Sequence, residues 1–138
     1  MATVLLSTAL ANAMADAATA LLDAGAGAGT IKLYSGALPA DGDTDPAGTL
    51  LATVTLAKPS FPGAAASGVD AMAAVASVTI GATGTAAVAI FEDSAGNNGW
   101  TGDVTATGGG GMLELDSVAL SAGASLQITG FNFTVPTS

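Results

Sequence analysis

Apolar residues recur first at three- and four-residue intervals and later at every second position, so the chain changes from helical to strand periodicity near its first glycine run. Over residues 7–23, Leu6, Leu10, Met14, Ala17 or Ala18, and Leu21 fall on one face of a helix. Ser7 or Thr8 is placed to cap its start. Alanine fills most other positions and favours the helix intrinsically, while Gly25 is placed to end it. Residues 25–29, Gly-Ala-Gly-Ala-Gly, then read as a flexible joint. The apolar stripe must cover something, either the sheet of its own domain or a neighbouring subunit.

From Thr30 onward the period is two. Residues 30–35 predict a short strand with Ile31 and Leu33 inward and Lys32 and Tyr34 outward. Residues 49–57 predict another, with Leu50, Ala52, Val54 and Leu56 on the buried face. The stretch that organises the rest is 79–100, read as one long strand opened by Gly81 and Gly84 and closed by a turn at 94–99. Ala86, Val88 and Ile90 alternate there with Ala87, Ala89 and Phe91, so both faces are apolar and the strand is central and covered on both sides. A partner strand over 100–104 completes a hairpin.

Residues 69–80 read as a strand, with an early helical turn as the alternative, and 112–116 turn Leu113 and Leu115 inward. In 125–135, Leu126 and Ile128 hold one phase while Phe131, Phe133 and Val135 hold the other. That switch predicts a β-bulge at Gly130, or burial of both faces at different points, before Pro136 ends pairing. Residues 36–48, 58–68 and 108–111 read as irregular connections rich in Gly and Pro. About eight short strands at near-regular spacing predict a mainly β fold: an antiparallel β-sandwich or open barrel with one N-terminal α-helix. Residues 1–29 would form the helix and hinge, a candidate docking arm, and 30–138 the β-sandwich domain.

Charge changes the picture more than size does. Eleven acids face two lysines, Lys32 and Lys58, with no arginine or histidine, for a net charge of −9. Nucleic acid and anionic membrane surfaces need cations from their partner and are excluded as ligands. No apolar run is long enough to span a bilayer. The apolar N-terminus lacks a basic start and is interrupted by Asp16, so it reads as a helix rather than a signal peptide. Of the hydrophobic residues, 32 are alanine. Such a modest core favours association with another protein.

Chemistry has little to build on. Without histidine or cysteine the usual bases, nucleophiles and thiolate ligands are missing, and no catalytic, cofactor or metal residue is expected. Lys58 beside Ser60 is a conceivable nucleophile pair, but reads better as solvated loop. Glu92, Asp93, Asp103, Glu114 and Asp116 read as solubilising charge rather than paired glycosidase carboxylates. The run Asp41-Gly42-Asp43-Thr44-Asp45 has the alternating carboxylates of a calcium loop. Pro46 and Ala52, however, stand where an EF-hand needs Gly and Glu, so a polar turn is preferred and a different calcium loop stays open. The glycines at 81–84 and 108–111 precede no helix and no cation, so they are turns rather than phosphate cradles. Trp100, near Asn97 and Asn98, is either a core or hairpin residue or a sugar-stacking platform.

Three phrases together resemble a family of small virion-associated proteins of tailed bacteriophages and prophages. They are the Ala-rich N-terminal helix leading into IKLYSGALPADGDTDPAGTLLATVTL, the central GATGTAAVAIFEDSAGN, and the closing SLQITGFNFTVP. The likeness spans residues 31–136. It departs at Val88-Ala89, where the family more often carries an aromatic. The resemblance implies a structural role in the virion with no catalytic residues. It points to a capsid decoration (cement) protein bound to the major capsid protein lattice as a homo-oligomer, expected to be a trimer. Leu6, Leu10, Met14, Leu21, Phe131 and Phe133 are the expected interface residues, with the chain end at 134–138 as a second candidate arm. The alternatives are a tail, neck or head-fibre component, and a carbohydrate-binding β-sandwich using Trp100, Asn97 and Asn98.

Overall fold

The computed structural model describes residues 3–135, so Pro136 and the rest of the candidate C-terminal arm lie outside the described residues. One helix, α1 (Thr8–Leu21), precedes eleven strands: β1 (Thr30–Tyr34), β2 (Leu50–Thr55), β3 (Val69–Ala71), β4 (Val78–Thr79), β5 (Gly84–Thr85), β6 (Val88–Glu92), β7 (Asn98–Ala106), β8 (Leu113–Leu115), β9 (Ala119–Leu120), β10 (Ser125–Leu126) and β11 (Asn132–Thr134). Five of them form one sheet in the order β2-β1-β6-β7-β8. The others pair two by two as β3-β11, β4-β10 and β5-β9. The fold is mainly β with one N-terminal helix.

The double-apolar stretch sits where its pattern places it. All five residues of β6 are buried, and β6 is the middle strand of the sheet. Cross-strand register builds two rows on its core face, Val54-Ile31-Phe91-Trp100 and Ala52-Leu33-Ala89-Gly102. The second row is low, and Met112 fills the space beside Gly102, where a Cβ would collide with the Met112 sulfur. Above the rows lie Phe61, Ile80, Leu120, Leu126, Ile128 and Phe131, closing one continuous core. Close packing of this kind makes each large side chain expensive to remove, about 3–5 kcal/mol for a buried Phe.

Val88, Ile90 and Glu92 point to the other face. Asn98, opposite Glu92 in the register, donates to the Asp43 carbonyl (3.3 Å) and to the Asp45 carboxylate (3.1 Å). These bonds fasten residues 36–48 across that face, with Pro46 buried beneath. Lys32 and the buried Glu92 form a 2.8 Å ion pair between β1 and β6.

Five expectations about the strands are corrected. Residues 69–80 are not one strand: β3 and β4 are separated by the irregular stretch 72–77 and join different ribbons. Residues 79–100 are not one strand. β5 pairs with β9, and the chain crosses to the sheet at Ala86 and Ala87, whose N–H groups bond to Val118 and Tyr34 respectively. Residues 125–135 likewise divide: β10 joins β4 and β11 joins β3, so the change of phase reflects a change of ribbon rather than a bulge at Gly130. In β2 the register slips between the Leu33/Ala52 and Tyr34/Leu50 pairs. Leu51 becomes the extra residue and turns inward, 1 % exposed, while Leu50 turns outward at 42 %. A strict alternation read from sequence cannot register a bulge of this kind.

Finally, β7 and β8 run parallel, not antiparallel, joined by only six residues. Parallel neighbours usually need a long crossover. Here the glycines make a short return fit: Gly108 and Gly110 take positive φ of 89° and 80°. Gly109 and Gly111 lie so close to Thr105 that a Cβ would meet it at 2.7 and 2.8 Å. Asp103, Thr105 and Glu114 accept from Met112, Gly111 and Gly110 N–H.

The first glycine run is a closed crossing rather than a free joint. The Lys58 ammonium donates to the carbonyls of Asp23 (2.8 Å), Gly25 (2.8 Å) and Gly27 (3.1 Å). Gly29 is buried with no room for a side chain, since a Cβ would stand 2.6 Å from the Glu92 carbonyl and 2.9 Å from that of Leu22. Both neighbours are backbone and cannot swing aside. Gly29→Ala should therefore lower stability by about 1–3 kcal/mol. Gly42→Ala, with open space around it, should stay within about 0.5 kcal/mol of the parent. Urea-unfolding midpoints of the two variants check the contrast.

Candidate functional site

The helix is the element that departs furthest from its expected role. Ser7 caps it, accepting from Leu10 N–H at 3.1 Å. The side it turns to the body is then made of small and polar residues. Ala11 and Ala15 are fully buried against Ala65 and Val135. Asn12, Asp16, Thr19 and Asp23 follow at four-, three- and four-residue steps, a second stripe beside the alanines.

That polar stripe answers a need of the irregular segment 58–70, whose backbone has few ladder partners. Asn12 Oδ1 accepts from Gly68 N–H (2.7 Å) and Asp16 Oδ1 from Ala65 N–H (2.8 Å). The Asp23 carboxylate accepts from Ser60 N–H with both oxygens, at 3.0 and 3.1 Å. Thr19 donates to the buried Asp70 of β3 at 2.8 Å. Leu22, just past the helix, is buried in the main core, where a Cβ on Gly99 would touch it at 3.0 Å.

Magnitudes explain the choice of face. An unsatisfied buried N–H costs about 1–3 kcal/mol, and three are at stake. Leaving three large side chains half exposed forgoes about 1 kcal/mol each. Hydrogen bonding therefore outweighs hydrophobicity and turns the leucine stripe away from the body.

What remains outside is an apolar face with no partner among the described residues. Leu10 is 49 % exposed, Met14 44 % and Leu21 61 %; Val4 and Leu5 just ahead of the helix reach 79 % and 74 %. Ala13, Ala17 and Ala20 fill the positions between. Packing of the stripe on its own sheet, one of the two options the sequence left open, is thereby corrected. Leu6 differs from the other three, being half-buried against the small cluster of Ala11, Ala15, Ala65 and Val135.

Phe131 and Phe133 are not free surface anchors. Phe131 is buried, with its ring 4.8 Å from Phe91, and the half-buried Phe133 lies 4.6 Å from Trp100. Trp100 stacks on Phe91 at 4.8 Å and 25°. One ring face of the candidate sugar platform is thus occupied by Phe91, and Phe133 leans on it as well. Asn97 serves the hairpin: Asp93 accepts from Asn97 N–H and Nδ2 and from Ala95 N–H, each at 2.9 Å. Those bonds hold the Asp93 carboxyl below its usual range.

In the aspartate run, Asp41 accepts from Thr44 Oγ1 (2.7 Å) and Asp43 N–H (3.1 Å), closing a polar turn and lowering its own pKa. No three acidic side chains converge on one point among the described residues. Lys58 is held by its carbonyl cradle, and Ser60 is buried with its hydroxyl unpartnered.

Comparison of the chain with protein-family models, with curated proteins and with solved structures gave no match.

Asp70 makes the helix attachment pH-sensitive. Burial pushes its carboxyl above the ordinary carboxylate range; the Thr19 hydroxyl opposes this, and the nearby Asp16 carboxyl adds to the rise. Because the folded pKa exceeds the unfolded one, the folded state binds the extra proton. Stability from this group is therefore greatest below the unfolded value of about 3.9 and declines as pH rises through the folded pKa. Asp70→Asn keeps the acceptor for Thr19 and removes the titration. Its stability relative to the parent should rise with pH, checked by urea midpoints at several values between about pH 4 and 8.

Proposed function

We propose that the chain is a structural component of a phage virion, a capsid decoration protein that lies on the major capsid protein lattice and stabilises the head. The observation that carries this reading is the uncharged apolar face of α1, held rigidly on the outside of an acidic body. Exposed contiguous apolar surface on a small domain marks a place where another protein sits. The three sequence phrases that resemble virion proteins of tailed phages name the setting in which such a surface would work.

The remaining features suit the role. Both lysines are engaged within the protein, Lys32 with Glu92 and Lys58 with three carbonyls. An outer surface dominated by acids keeps free subunits soluble and off nucleic acid until they meet their site. A decoration subunit needs a fixed shape more than a reactive side chain, and the closed glycine crossings supply one.

Quantitative mass spectrometry of purified particles tests the assignment. A lattice protein should be present at on the order of hundreds of copies, following the symmetry of the shell. A dozen or fewer would move it to the neck, tail or head fibres, and its absence from particles would end the virion reading.

A further inference from the structure

We propose that the outward face of α1 is a self-association surface, on which two copies of the chain pack helix against helix, antiparallel, about a two-fold axis. This rests on the reading of α1 as a protein-binding face and assigns that face to a second copy, so that in a virion the pair, and not the α1 face itself, would meet the lattice; the pairing does not depend on the virion assignment.

The seam is laid out for such a pair. Leu10, Ala13, Ala17 and Ala20 recur at three- and four-residue steps along the helix and are all exposed, with Met14 and Leu21 alongside. An alanine-rich seam lets two helices approach closely, and large side chains then need small ones opposite them. Antiparallel pairing meets that need at the centre of the seam, where Met14 of each copy faces Ala17 of the other, and closes both ends with Leu10 against Leu21. Parallel pairing would set Met14 on Met14 and leave Ala17 facing Ala17, so that bulk and gap alternate along the seam. It would also align the two helix dipoles, whereas the antiparallel arrangement opposes them.

Area and charge point to a second copy as the occupant. Leu10, Met14 and Leu21, with Val4 and Leu5 just ahead of the helix and the alanines between, offer on the order of 500 Å² per copy if all are covered. A pair would then bury about 1,000 Å², which meets the size at which specific interfaces begin. A basic partner would be recognised by acids, and those of the helix and of the turn after it are turned to the protein's own body: Asp16 to Ala65 N–H and Asp23 to Ser60 N–H. The surface complementary to the face is therefore neutral and apolar, as the same face on another copy is. The helix is already fixed by its polar stripe and the Lys58 cradle, so pairing does not have to order it first.

Sedimentation of the full chain over a wide concentration range tests the pairing. The expected species has twice the 13.0 kDa subunit mass. Two copies at net −9 repel each other through solvent, so their association should tighten as salt is raised. The combined Leu10→Ser, Met14→Ser and Leu21→Ser variant should dissociate at least about 100-fold more readily. Circular dichroism would show that it remains folded. Ala17→Glu, which keeps helix propensity and places a charge in the seam, is the second variant and should weaken the pair by about 10-fold or more.

Orientation is read by trapping, since the chain has no cysteine. Leu10→Cys with Leu21→Cys should cross-link two copies under oxidation, and Leu10→Cys alone should not. A monomer at every concentration, a trimer, an oligomer indifferent to both seam variants, or ready cross-linking of the single Leu10→Cys variant would overturn the proposal. If the chain proves monomeric yet abundant in particles, only the pairing fails. If it pairs but is absent from particles, only the virion reading fails.

Discussion

Everything distinctive about this molecule follows from the backbone of residues 58–70, which carries two prolines and pairs with little else. Its N–H groups at Ser60, Ala65 and Gly68 cannot be left without partners, and α1 and the turn after it supply the acceptors, Asn12, Asp16 and Asp23. Once three polar side chains at helical spacing must face inward, the leucines on the opposite side must face outward. The apolar surface is thus a geometric consequence of satisfying a loop. It is also held rigidly, because Leu22 is locked in the core and Lys58 gathers the carbonyls that follow. A surface fixed in this way loses little conformational entropy when it is covered.

Much of the sheet was legible from periodicity. The burial of β1, the central position of β6, its hairpin with β7 and the inward pair Leu113 and Leu115 all follow from apolar alternation. What was not legible shares one cause. Where the chain leaves one ribbon for another, at Ala86–Ala87 and across 127–131, the residues on both sides are equally apolar, so no polar mark shows the handover. The bulge at Leu51 hides in a Leu-Leu pair for the same reason. The parallel return from β7 to β8 is written only as four glycines, a pattern that says the chain is tight but not which way it goes.

For the candidate site, the residues were visible and their direction was not. Leu10, Met14 and Leu21 form the stripe read from sequence, but the rule that the apolar side packs inward put it on the wrong face. A usable signal was present in the same segment. Asn12, Asp16, Thr19 and Asp23 repeat with helical period as regularly as the leucines do, and alanines at 11 and 15 flank them. A polar stripe edged by alanine allows close approach of a helix to backbone that wants acceptors, and Pro59 and Pro62, far along the chain, mark where such backbone lies. Phe131 and Phe133 failed as surface anchors because five of the chain's six aromatic residues, Phe61, Phe91, Trp100, Phe131 and Phe133, gather in one cluster.

Charge completes the argument about what such a face can meet. With Lys32 paired to Glu92 inside the outer face of the sheet, and Lys58 enclosed by carbonyls, the two cations act on the protein's own structure. Acids on the solvent side are then unbalanced, which repels anionic surfaces and other copies alike at distances up to about 8–10 Å in ordinary salt. The α1 face is where that repulsion is weakest, since its exposed positions are uncharged apart from the flanking Asp16, whose carboxylate is drawn to Ala65. Under the proposed pairing, distributed negative charge around this neutral strip would orient an approaching copy towards α1; the other large apolar side chains exposed among the described residues, Leu38 and Leu50, lie on other elements. Specificity then comes from the alternation of large and small side chains along the strip, because a smooth apolar surface would accept it in any register and a matching one accepts it in one.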